Sequence, residues 1–120
     1  MQFINQNGYK IALIDSSYKV ENAQDALDLM ASAQYHGGSG ALIVHKECFN
    51  EDFFDLKTRL AGELLQKFST YRVQLAIIGD FSHYQSKALH DFIYECNQGR
   101  QILWANTVDH ALNVLAPVAG

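Results

Sequence analysis

The 120-residue chain reads as an α/β protein with a single mixed, mostly parallel sheet, an N-terminal antiparallel hairpin and packed helices, in the order ββαβαβαβα. Three observations predict this. Asn7-Gly8 separates two short apolar segments, strand-length apolar runs recur at 41–44 and 73–78, and stretches with helical apolar spacing alternate with them. Right-handed crossovers then make the later strands parallel and bring every strand-to-helix loop to one rim.

The hairpin rests on Phe3-Ile4 and Tyr9 to Ile14, because Asn-Gly tolerates positive φ at both centres of a tight turn. From Asn22 the period lengthens. Ala23, Ala26, Leu27, Met30 and Ala33 share a helical face, Asn22 can cap it, and Gly37-Gly38 ends it. Ala41-Leu42-Ile43-Val44 suits a strand covered on both faces.

A second helix is expected from Asn50 onward. Asn50 is its cap, Glu51 and Asp52 suit the positive end of the helix dipole, and Phe49 staples onto Phe54. Phe53, Leu56, Leu60, Ala61, Leu64, Leu65 and Phe68 continue its apolar stripe. Gly62 lies in mid-helix, where glycine costs about 1 kcal/mol relative to Ala, so close backbone packing against the sheet or a partner is expected there. The strand at 73–78 leads to a helix presenting Ala88, Leu89, Phe92, Ile93 and Cys96, with Ser82 and Gln85 as its capping box and Gly99 as a left-handed terminus. A strand at 102–105, a Thr107 cap and a helix with Val108, Ala111, Leu112 and Leu115 complete the order.

Alternation without a linker or repeat makes residues 1–120 one expected domain. The hydrophobic content of 48% is enough for a core. Cys48 and Cys96 form no disulfide framework, which points to a reducing cytoplasm, and no apolar run approaches the roughly 20 residues of a membrane span. A formal charge of -4 with scattered basic residues excludes nucleic acid as the expected partner.

Chemistry is expected at the rim, since ligands of open α/β sheets favour the carboxyl ends of the strands. His45, Cys48, Asp80 and His83 are its metal-binding residue types, but His45-x-x-Cys48 supplies half a site at most, and no metal is assigned. Cys48 is either a nucleophile activated by His45 or His83, or a small buried hydrophobe beside Phe49. Asp80 either grips a ligand or accepts backbone N–H bonds in its own turn. Gly79 has no GxGxxG or GxxxxGK[ST] context, and neither a nucleophile elbow nor HExxH occurs, so no cofactor and no catalytic residue are assigned. Glu63 and Lys67 read as a surface pair, and His90 and His110 as solvent-facing.

At Phe53-Phe54-Asp55-Leu56, Ala61 to Phe68, Gly79-Asp80-Phe81 and Ser86 to Asn97, the chain resembles a bacterial family catalogued as domain of unknown function 4180. The likeness extends over nearly the whole chain and brings no catalytic assignment. The order of elements also resembles STAS domains, small modules typified by anti-sigma factor antagonists that work through protein contacts and in some cases bind nucleotide or lipid. In those antagonists a phosphorylatable Ser or Thr opens the helix after the third strand. Here Thr58 is the first hydroxyl, a turn inside the predicted helix, so the chain departs from that pattern.

The expected function is a non-catalytic regulatory or protein-binding module, with Asp52, Asp55, Asp80, Ser82 and His83 as the candidate binding residues. The alternative is a small enzyme or a ligand- or metal-binding protein using the rim. A protein partner is expected, and the exposed edge of an open sheet also admits a homo-oligomer.

Overall fold

A computed structural model describes residues 1–118. Its five strands, β1 (Gln2–Gln6), β2 (Tyr9–Leu13), β3 (Ala41–His45), β4 (Gln74–Ile78) and β5 (Ile102–Ala105), form one sheet in chain order. The β1–β2 pair is antiparallel and every later pair is parallel. Helices α1 (Ala23–Gly37), α2 (Leu60–Thr70), α3 (Lys87–Gln98) and α4 (Val108–Leu115) follow β2, β3, β4 and β5. The expected α/β order is what forms. No helix among the described residues is long and apolar enough to cross a membrane.

Local chemistry explains most boundaries. Asn7 and Gly8 take φ of 52° and 83°, the positive values that a tight hairpin turn requires, and Asn7 Nδ2 donates to the Ala116 carbonyl at 2.7 Å. Asn22 caps α1 by accepting from the Asp25 amide, and Gly38 closes it in the left-handed region. Thr107 caps α4 by accepting from the His110 amide.

Parallel strands laid side by side in chain order send successive right-handed crossovers to the same face. The core shows that partition. Ala12, Leu42, Val44, Leu75, Ile77, Ile102 and Trp104 face the layer built from α1, α2 and α3, whereas Ile11, Ile43, Ala76, Ile78, Leu103 and Ala105 face α4. Coverage on both sides is why the middle strands are continuously apolar.

The second predicted helix is broken. Residues 46–58 instead make three short 3-10 turns, Lys46–Cys48, Glu51–Phe54 and Leu56–Thr58, and Arg59 at φ 65° separates them from α2. Local side chains compete with the helical ladder here. Thr58 Oγ1 donates to the carbonyls of Asp52 and Asp55, and Asp55 Oδ1 accepts from the Lys57 amide. The Asn50 side chain caps nothing. Two other ends also differ from expectation. Ser86, not Ser82, caps α3 by accepting from the Leu89 amide, and Gly99 is extended at φ -99°.

The two sheet edges are unlike. At β5, Asn97 Oδ1 accepts from the Trp104 amide at 2.8 Å and its Nδ2 donates to the Trp104 carbonyl at 3.1 Å. One side chain thus does for Trp104 what a neighbouring strand would do. At β1 no such cover exists among the described residues.

Gly62 does not pack closely against the sheet. A Cβ built there meets nothing within 4 Å, so the glycine marks open space. Gly62 stands in the first turn of α2, where glycine costs less than in a helix interior, so Gly62→Ala should raise stability by at most about 0.5–1 kcal/mol. A higher midpoint in urea-induced unfolding checks this.

Candidate functional site

Because His45 pairs with Ile78, the loops that leave β3 and β4 emerge side by side on one rim. Asp80 is tied down in its own turn. Its Oδ1 accepts from the Ser82 hydroxyl at 2.6 Å and from the Ser82 amide at 2.9 Å. Those bonds, the hydroxyl first, hold the Asp80 carboxyl below its ordinary value. His83 is exposed and its ring lies against Tyr84 at a centroid distance of 4.2 Å.

Lys46 joins the two loops. Its Nζ donates to the Asp80 carbonyl at 3.3 Å and stands 5.5 Å from the centroid of the Tyr84 ring. Gly79 makes room for its stem, since a Cβ at that position would come within 2.6 Å of Lys46 Cδ. The Tyr84 hydroxyl donates to Glu51 Oε2 at 3.3 Å. Burial, and then the Glu51 carboxylate, push the Tyr84 phenol up to about 12. Lys46, Glu51, Phe54 and Tyr84 border a recess of about 270 Å³.

Aromatic packing anchors this arrangement from below. Phe49 stacks on Phe53 at 4.2 Å, Phe54 on Tyr84 at 5.3 Å, and Phe81 meets Trp104 edge-on at 5.1 Å. Such pairs add about 0.5–1.5 kcal/mol each beyond their buried area. Irregular backbone is thereby held on a rigid base.

Asp80 and Ser82 are bonded to each other in one turn, with exposed His83 next in the chain. Asp52 and Asp55 lie apart on the 3-10 turns, and no hydrogen bond or ion pair among the described residues joins either to that group. Cys48 is fully buried and its thiol donates to the Asp15 carbonyl at 3.5 Å. Burial pushes that thiol up, which keeps it neutral and makes it core, not nucleophile. Among the described residues no group of three or more His, Cys, Asp and Glu could hold a metal.

Lys46, Glu51 and Tyr84 form the contacts that sequence reasoning missed. Their only signal was position, since Lys46 follows β3 directly and Tyr84 shares a loop with Asp80. The β3–β4 register decides that they meet.

A second feature flanks the rim. The α3 helix leans on β5 and buries only Leu89 completely, leaving Phe92, Ile93 and Cys96 half-exposed. Between α2 and α3 runs an open groove of about 560 Å³ bordered by Leu56, Arg59, Gly62, Glu63, Gln66 and Phe92. Leu56 and Phe92 supply its apolar floor.

The family model described as Domain of unknown function (DUF4180) matches residues 6–115. The chain belongs to the DUF4180 family. No curated protein and no solved structure matches it significantly. The DUF4180 match contains both the rim and the α2–α3 groove.

Loss of the Ser82 hydroxyl removes the largest influence on Asp80, so Ser82→Ala should move the Asp80 carboxyl up toward its ordinary value in an NMR titration. In the native chain the turn's contribution is present above the unfolded value of 3.8 and is lost as pH falls through the lower folded value. Thiol labelling of the native protein should modify half-buried Cys96 well before Cys48, which reacts only when the chain opens. Mass spectrometry of partly labelled protein reads the order.

Proposed function

We propose that this chain is a non-catalytic regulatory module that binds a partner protein, seating a basic amphipathic segment in the α2–α3 groove. The observation that carries this reading is Gly62, a glycine in the first turn of α2 that faces open space beside half-exposed Leu56 and Phe92. An amphipathic helix docks in such a groove through apolar anchors one and two turns apart. Arg59 and Glu63 balance each other on the groove's border, and exposed Glu51, Asp52 and Asp55 precede it in the chain, so these three carboxylates favour a basic partner during encounter. The resemblance of the element order to STAS domains supports the same class of role. Both cysteines are free thiols, in keeping with a reducing cytoplasm.

A small ligand at the rim is the second reading, favoured by the meeting of Lys46, Glu51 and Tyr84. The recess there, at about 270 Å³, falls below the roughly 300–1,000 Å³ of sites that enclose a small molecule. Protein binding through the groove therefore comes first.

Gly62→Leu adds a side chain at the groove whose Cβ meets nothing within 4 Å, and the pair Asp52→Lys with Asp55→Lys reverses the flanking charge. In cross-linking from the native host, a partner caught by the wild-type chain should be lost with both variants while circular dichroism stays unchanged. An identical set of cross-linked proteins for all three chains rejects the groove.

A further inference from the structure

The outer edge of β1 carries a pattern suited to pairing with itself. Asn7-Gly8 is a two-residue turn, so Gln6 and Tyr9 flank it as a hydrogen-bonded pair and the alternation of an antiparallel ladder follows from there. Gln2, Ile4 and Gln6 therefore direct their backbone groups toward β2. Phe3 and Asn5 direct theirs away from the sheet. The β2–β3 side agrees independently. The Ile14 amide donates to the Ile43 carbonyl, so even-numbered β2 residues point to β3 and odd-numbered ones to β1.

This edge lacks the usual protection. Gln2-Phe3-Ile4-Asn5-Gln6 contains no charged residue and no proline, and its register against β2 runs without a bulge. At the opposite edge, β5, the Asn97 side chain bonds both outward backbone groups of Trp104. The strand is also nearly palindromic about Ile4, with glutamine at both ends.

We propose that β1 pairs antiparallel with β1 of a second copy of this chain, joining the two sheets across a two-fold axis at Ile4. In that register Phe3 of each copy exchanges its N–H and C=O with Asn5 of the other, satisfying the outward groups. Ile4 stands opposite Ile4 of the second copy, and Gln2 opposite Gln6. Side-chain faces match as well, because Ile4 packs on the α4 side of its sheet and Phe3 on the α1 side. Glutamine against glutamine lets the amides bond across the seam, and isoleucine against isoleucine is a favourable cross-strand pair. An isologous contact of this kind closes on itself as a dimer.

Sedimentation velocity should show a dimer for the wild-type chain. Asn5→Pro removes an amide that faces outward in the monomer, so the fold tolerates it, but the dimer loses a symmetry-related pair of bonds. It should run as a folded monomer where the wild type is dimeric. In a Cys96→Ser background, Ile4→Cys should form an intermolecular disulfide under mild oxidation, and Tyr9→Cys, on the inner strand, should not. The close approach of a pair not joined by backbone bonds permits that bridge. A wild-type chain that stays monomeric into the millimolar range overturns the proposal, even if another protein's strand occupies the edge. So does a dimer unaffected by Asn5→Pro in which Ile4→Cys fails to cross-link.

Discussion

Strand order constrains the rest of this structure more than any single contact. Parallel strands placed in chain order, each joined to the next by a crossover of one hand, stack α1, α2 and α3 on the same side of the sheet. Only α4 is left to cover the other side, and it does so with Ala111, Leu112 and Leu115. With five strands, an antiparallel β1 and α4 on its second face, the sheet stays open and ends in two edges, β1 and β5. Both the shared rim and the unequal edges descend from that topology.

Crowding on the three-helix side explains the irregular segment between β3 and α2. Phe49, Phe53 and Phe54 must all reach the space beneath the rim, where Phe81, Tyr84 and Trp104 converge from the neighbouring loop and edge strand. A continuous helix from residue 50 would turn successive aromatics away from that space. Short 3-10 turns keep them inward, and Thr58 and Asp55 satisfy the backbone groups that the missing ladder leaves free. The acidic side chains of the same segment are left outside by default. Aromatic packing also offsets the cost of the Trp104 indole N–H, which is buried without a hydrogen-bond partner among the described residues.

The rim illustrates how polar residues at a suggestive location can serve the loop itself. Asp80 spends its carboxylate on Ser82, and Lys46 reaches a backbone carbonyl while lying over Tyr84. These bonds make the loop after β4 rigid and leave little of its polarity uncommitted. On the α2–α3 side the balance is reversed. Apolar side chains there stay half-exposed, and a glycine withholds the side chain that would have filled the gap. Space, more than reactivity, is what this chain presents.

Sequence alone determined the elements whose signals are local. The Asn7-Gly8 turn, the Asn22 and Thr107 caps and the unbroken apolar strands each depend on residues a few positions apart, and so the α/β order was legible before any coordinates. A turn around Asp80 was one of two readings open to the sequence, but the cap expected of Ser82 falls to Ser86, and Ser82 donates to Asp80 instead. Tertiary structure alone decided what Gly62 faces, where the second helix breaks, and which residues meet Tyr84. Helical spacing records which face of a helix is apolar, but not whether its neighbour stands close. The distance between α2 and α3, the register of β3 on β4 and the convergence of aromatics from separate segments are long-range quantities, fixed only when the whole sheet is assembled.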